Sequence, residues 1–244
     1  AVLTTTNAWI HKLVMKRPPV VNTATNVSIL NSTGTTHYEA SYSEGTALSA
    51  PIVARYRFVG GYLVASGCVS LNTGTSGAPA FYFSTVTATD CTFAGIASQA
   101  AHAGVVVTSG GAGATLKFRG CYFYLYCGNT TTSGLQLIGD RYGFFQGCDI
   151  YYFSTGVAEA AIYIATGWQG LLIENNVITT NFNGLGTANV AAKGTATLNN
   201  AGIIMTGNVF RNVNAGALSI DVTVSSGTGN QVANNAFLVS VSDP

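Results

Sequence analysis

GFFQGCDIYYF, residues 143–153, sets Cys148 and Asp149 side by side within an aromatic run. The phrase recurs in altered form as LKFRGCYFY (116–124), LLIENNVIT (171–179), IIMTGNVFR (203–211) and NQVANNAFL (230–238). Fainter copies are TATDCTFAG (87–95) and VASGCVSL (64–71). Aligned, these place Cys68, Cys91, Cys121, Cys148, Asn176, Asn208 and Asn235 in one column, at intervals of 23, 30, 27, 28, 32 and 27 residues. The residue before the column is Gly67, Asp90, Gly120, Gly147, Asn175, Gly207 or Asn234. Gly, Asn and Asp are the types that best tolerate a left-handed backbone, so this position predicts a sharp bend. Three residues before the column stand Phe118, Phe145, Ile173, Met205 and Val232; two after it stand Phe93, Phe123, Ile150, Ile178, Phe210 and Phe237. A strand, a one-residue bend and a second strand turn all of these inward. Each apolar run is too short and too closely bounded by glycine for a helix.

A second register follows the first. Thirteen residues after Cys91, Cys121 and Cys148 come Gly104, Gly134 and Ala161, each opening an apolar pair: Val105/Val107, Leu135/Leu137 and Ile162/Ile164. Each repeat thus carries at least two short strands and a tight bend. Units of this kind bury their apolar faces only by stacking on one another.

The run AIYIATGWQGLLIENNVITTNFNG (161–184) resembles a coil of the right-handed parallel β-helix, the pectate-lyase-like architecture shared by many phage tailspikes. The resemblance covers roughly residues 55 to 240. It implies an all-β solenoid, a single-stranded right-handed parallel β-helix of about seven coils, over residues 51–244. Inside it, the column forms a ladder that is Cys in its first half and Asn in its second.

Residues 1–50 do not follow the repeat and are expected to form a separate N-terminal arm or cap. In TTNAWIHKLVMKRPP (5–19), Asn7 reads as a helix N-cap, Trp9, Ile10, Leu13 and Val14 as an apolar helical face, and Pro18-Pro19 as a stop. His11, Lys12, Lys16 and Arg17 form the single cationic cluster. Trp9, Lys12, Lys16 and Arg17 are the candidates for an arm that docks onto something larger; the alternative is a cap over the open end of the solenoid. The stretches 108–114 and 183–200 read as loops.

Composition limits the function. Only 8% of residues are charged, against roughly 25% in ordinary globular proteins. The hydrophobic share is 48% and the formal net charge +1, so the polar surface is built from hydroxyls and amides. That balance gives no reason to expect nucleic acid as a partner, and no apolar run approaches the roughly 18 residues that cross a membrane. Five cysteines with no CxxC spacing, and three scattered histidines (His11, His37, His102), predict buried free thiols and no metal site or cofactor.

There is no GxSxG elbow, P-loop or HExxH. A catalytic reading therefore falls on carboxylates. Alternation sends Tyr122, Asp149 and Val177 outward after the column, and Arg119, Gln146 and Glu174 outward two residues before it. Asp149 and Glu174 are then candidates for an acid pair of the inverting-glycosidase kind, with Arg119 and Asp140 as neighbouring candidates. The same Arg-Gln-Glu line reads equally well as a satisfied surface ladder. Within CYFYLYC (121–127), Tyr122, Tyr124 and Tyr126 point outward, with Tyr151 on the adjacent coil. Such a ridge suits a subunit interface or a glycan platform.

Oligomer and origin follow from the resemblance alone. It implies a structural virion protein of the phage tailspike, head-fibre or capsid decoration type, assembled as a homotrimer. Its further partners would be other virion proteins, through the N-terminal arm, and a host surface glycan. The alternatives are a polysaccharide-cleaving lyase or inverting glycosidase on the same fold, and a secreted, extracellular adhesin.

Overall fold

The computed structural model describes residues 2–5, 8–12, 14–15, 28–31, 35–39, 42–46, 56–67, 69–74, 81–97, 104–108, 115–127, 133–137, 142–154, 161–164, 168, 170–182, 189–194, 202–213, 218–222, 229 and 231–239. Among them the regular structure is strand throughout, with no helix, in one 16-stranded and one 9-stranded sheet. Every pairing is parallel.

The bend organises the chain. The repeated units Thr115–Arg119, Tyr142–Gln146, Leu171–Glu174, Ile203–Thr206 and Gln231–Ala233 each pair with the next, forming a pre-bend ladder. Across the bend, Thr92–Ala97, Tyr122–Cys127, Asp149–Ser154, Val177–Phe182, Val209–Asn212 and Ala236–Val239 form the post-bend ladder in the smaller sheet. A third ladder is Gly104–Thr108, Ser133–Leu137, Ile162–Ile164, Asn189–Gly194 and Leu218–Val222. It carries the second sequence register at Leu135/Leu137 and Ile162/Ile164, but Val106 rather than Val105 pairs with Leu135, one residue off the expected alignment, and Asn189–Gly194 is a strand within a stretch expected to be a loop. Tyr56–Ser66 and Phe81–Thr89 each run through both the third and the pre-bend ladder, which joins those ladders into one sheet.

All seven residues expected at the bend have positive φ, between 51° at Asp90 and 66° at Gly207. An eighth is Lys12, at φ 54°. This corrects the expected N-terminal helix. Val2–Thr5, Ala8–His11 and Val14–Met15 are strands, and they pair in parallel with Ser28–Asn31, Thr35–Glu39 and Tyr42–Thr46. Those three pair in turn with Tyr56–Ser66 and Val69–Gly74. The described part of residues 1–50 therefore continues all three ladders, adding two rungs to the seven expected. The apolar spacing of Trp9 and Ile10 also fits a strand with period two: Trp9 is 71% exposed, while Ile10 packs against the core. A left-handed Lys12 interrupts any helix there.

The core lies between the ladders. Phe118, Phe145, Ile173 and Met205 before the column are buried, as are Phe93, Phe123, Ile150, Ile178 and Phe210 after it. Aromatic rings stack from rung to rung, Phe118 on Phe145 at 4.9 Å and Phe93 on Phe123 at 5.3 Å between centroids. Full burial of such a side chain contributes about 1.5–3 kcal/mol. Leu135, Leu137, Ile162 and Ile164 fill the third side. Trp168 closes the corner between the third and pre-bend ladders. It is fully buried, and its Nε1 donates to the Leu137 carbonyl at 3.3 Å. Its ring explains Gly143, where a Cβ would meet Trp168 at 2.8 Å. Val232 and Phe237 keep the inward register of Met205 and Phe210, yet stand 48% and 44% exposed because they belong to the last described rung.

Candidate functional site

The column is architecture in both halves. Asn176, Asn208 and Asn235 form a continuous amide ladder. Asn176 Oδ1 accepts from the Cys148 backbone N–H at 2.8 Å, and Asn208 Oδ1 accepts from both the backbone N–H and Nδ2 of Asn176 at 3.0 Å. Asn235 Oδ1 does the same for Asn208, at 3.0 and 2.9 Å. Each Nδ2 also donates to the carbonyl three residues before the preceding column position: Phe145, Ile173 and Met205. Asn176 and Asn208 are buried and Asn235 half-buried without leaving these groups unmet, as burial of polar groups requires.

Cys91, Cys121 and Cys148 are buried thiols outside any disulfide. Cys68 lies outside the described residues. The Cys121 thiol donates to the Ala88 carbonyl at 3.5 Å, the same place relative to the bend that Asn176 reaches at Phe145. Its hydrogen bond with Cys148 pushes the Cys121 pKa up to about 12, and burial adds to the rise. The same contact lowers the pKa of Cys148. Among the described residues no group of three or more His, Cys, Asp or Glu is placed to hold a metal ion.

Outside the bend, Arg119, Gln146 and Glu174 stand in direct register at the ends of successive pre-bend strands. Arg119 Nε donates to Gln146 Oε1 at 3.1 Å, and Gln146 Nε2 donates to Glu174 Oε2 at 2.9 Å. The line is a relay of charge-assisted bonds from cation to carboxylate. Arg119 also lies over the Phe144 ring, 5.5 Å from its centroid. Asp149 opens a post-bend strand, exposed and opposite Tyr122 and Val177. Asp149 and Glu174 thus belong to different sheets, on opposite sides of the bend. Asp140 lies outside the described residues.

The tyrosines do come together. Tyr122, Tyr124 and Tyr126 face the outside of the smaller sheet, paired with Asp149, Tyr151 and Phe153. Tyr124 and Tyr151 stack at 5.3 Å with planes 5° apart, and Tyr126 and Phe153 at 5.3 Å and 16°. Tyr122 and Tyr124 are each 41% exposed. Desolvation within the cluster raises the Tyr122 pKa, and the negative ends of Tyr124, Asp149 and Tyr151 add to the rise. Phe153 belongs to this ridge although the sequence reading left it out. Strict alternation from Asp149 through Tyr151 already placed it there. Of the expected docking residues, Trp9 and Lys12 are exposed on the first described rung, and Lys16 and Arg17 lie outside the described residues.

Compared with protein-family models, curated proteins and solved structures, the chain matches none.

Proposed function

We propose that the chain is a structural protein of a virus particle, of the tailspike, head-fibre or capsid decoration type, built as a single right-handed parallel β-helix. The right-handed sense is the one that parallel crossover connections take in nearly all cases. The observation that carries the reading is the tyrosine ridge: paired, stacked rings held solvent-facing on a sheet. Exposed aromatic surface of this kind favours a contact, and tyrosine and phenylalanine are enriched at interfaces. In this reading the ridge packs against other copies in a homotrimer, a host surface glycan is a further partner, and the first rungs attach the protein to the particle.

The carboxylates favour scaffold over catalysis. Glu174 is bonded into the Arg119–Gln146 line, and Asp149 stands on the other sheet. An inverting glycosidase instead needs two carboxyls about 6.5–9.5 Å apart, facing one cleft. The test is to look for this chain by mass spectrometry in purified particles, and to assay the isolated protein on a panel of polysaccharides. Presence in the particle without turnover is the expected result. Turnover that disappears in Asp149→Asn or Glu174→Gln would replace this reading with the enzyme, and a chain found secreted and free of particles would replace it with the adhesin.

A further inference from the structure

A strand with one solvated face should alternate apolar-in with polar-out. The pre-bend ladder breaks that rule over three successive rungs. Phe144, Leu172 and Ile204 all point outward, half-buried, and stand in direct register. Lys117 occupies the same register position on the rung above Phe144. Along this line runs an open groove of about 290 Å³, lined by Lys117, Tyr142, Phe144, Leu172, Gly202 and Ile204 among others. Its shape follows from the local sequence. Gly170 and Gly202, each one residue before the inward Leu171 and Ile203, leave a strip without side chains beside this line, bonded through the Gly143 N–H to Gly170 carbonyl at 2.9 Å and the Leu171 N–H to Gly202 carbonyl at 3.2 Å. Tyr142, 60% exposed, stands as one wall. On the other side the Arg119 guanidinium lies over Phe144. Lys117 is the charged residue that lines the groove itself, while Arg119 borders it with its Nε committed to Gln146.

We propose that this groove binds a linear amphiphilic carboxylate, a medium-chain fatty acid, with its carboxylate on Lys117 Nζ and its hydrocarbon chain across Phe144, Leu172 and Ile204. Four rungs at about 4.8 Å spacing make a straight track of roughly 14 Å with a cation at one end. An unbranched chain fills such a track along its length, and each methylene removed from water contributes up to about 0.8 kcal/mol. The ammonium meets the head with a charge-assisted bond and sets the direction of binding. The volume lies near the small end of the range for ligand sites, about 300–1,000 Å³. A peptide strand is not accommodated by edge addition here, because the strands beneath the groove are already paired on both sides. The proposal is independent of the virion reading.

The experiment is calorimetric titration of the full chain with dodecanoate below its micelle concentration, with dodecanol as the uncharged probe. The wild type should bind dodecanoate saturably, one per chain. Lys117→Met should weaken dodecanoate on the order of tenfold, the equivalent of about 1.4 kcal/mol, and leave dodecanol unchanged. Ile204→Asp should abolish binding of both, with a melting curve showing that the variant folds; Lys117→Met, a surface change, keeps the test decisive if it does not. Absence of saturable binding, or binding indifferent to Ile204→Asp or Lys117→Met, overturns the proposal. So does a groove closed to dodecanoate because a second copy of this chain covers it.

Discussion

The column at the bend is Cys91, Cys121 and Cys148 in one half of the molecule and Asn176, Asn208 and Asn235 in the other. The backbone is the same in both, with the preceding residue left-handed throughout. What differs is how the interior beside the bend is satisfied. In the Asn half the side-chain bonds run from 2.8 to 3.0 Å, and each amide serves two rungs. In the Cys half the thiols reach carbonyls at 3.2 to 3.6 Å. Such bonds are weak, and a buried thiol acts mainly as a small hydrophobe. Packing makes up the difference: Phe93, Phe118, Phe123 and Phe145 surround the Cys half in a cluster of stacked and edge-on rings. One bend can therefore be held by hydrogen bonds or by aromatic packing. The two halves should respond differently to the same truncation.

The largest effect is expected for Asn208→Ala. It removes the acceptor for the Asn176 N–H and Nδ2 and the donor to the Ile173 carbonyl. A buried polar group left unmet costs about 1–3 kcal/mol, so the loss should reach about 4 kcal/mol in denaturant unfolding. A loss no larger than that of a Cys truncation would erase the distinction between the halves.

Next come the bend glycines, which separate strain from clash. Gly147 and Gly207 share a left-handed φ, at 60° and 66°, but a Cβ on Gly147 meets nothing within 4 Å. A Cβ on Gly207 runs into the Asn175 side-chain amide. Gly147→Ala should cost about 1–2 kcal/mol, the price of a left-handed non-glycine residue. Gly207→Ala should cost slightly more, about 2 kcal/mol, because the exposed Asn175 side chain must also turn aside. Asn175→Gly, measured alone to subtract the relief of its own left-handed strain and then in the Gly207→Ala background, should remove that excess; an unchanged excess would mean that Asn175 is not what the new methyl meets.

Cys148→Ala should cost only about 1 kcal/mol, the scale of a small buried group, and leave the unfolding transition cooperative. The smallest effect is in pH. The Cys121 pKa is raised from 9.0 to about 12, so between those values the folded state holds a proton that the unfolded chain releases. Its contribution is complete below pH 9 and is lost as pH rises toward 12. Melting temperature should fall over that window, and less steeply in Cys121→Ala. An equal slope in the variant would assign the loss to other groups.

The bend was legible because a left-handed backbone position restricts residue type, so Gly, Asn and Asp mark it wherever the rest of the repeat drifts. The rung at Lys12 escaped for the same reason. Lysine is not a type that signals such a bend, and its strands are only four and two residues long. Inward and outward assignments held at Phe145, Ile150, Tyr122 and Asp149 because period-two alternation fixes them. Trp168 was hidden in a loop-like stretch, since its burial depends on Gly143 on the neighbouring strand rather than on local pattern. The outward apolar line was hidden in the doublets Phe144-Phe145, Leu171-Leu172 and Ile203-Ile204, which read as strong strands without revealing that both faces are apolar. Strand spacing alone also does not show that the bend puts Asp149 and Glu174 in different sheets.

The central claim is that the tyrosine ridge is a contact between copies of this chain, and its most direct test is the mass in solution. Light scattering at micromolar concentration should give three times the chain mass for the wild type. Tyr124→Lys, at the middle of the exposed ridge, should give the single-chain mass with an intact strand spectrum. A monomeric wild type, or a trimer that survives Tyr124→Lys together with Tyr151→Lys, would contradict it.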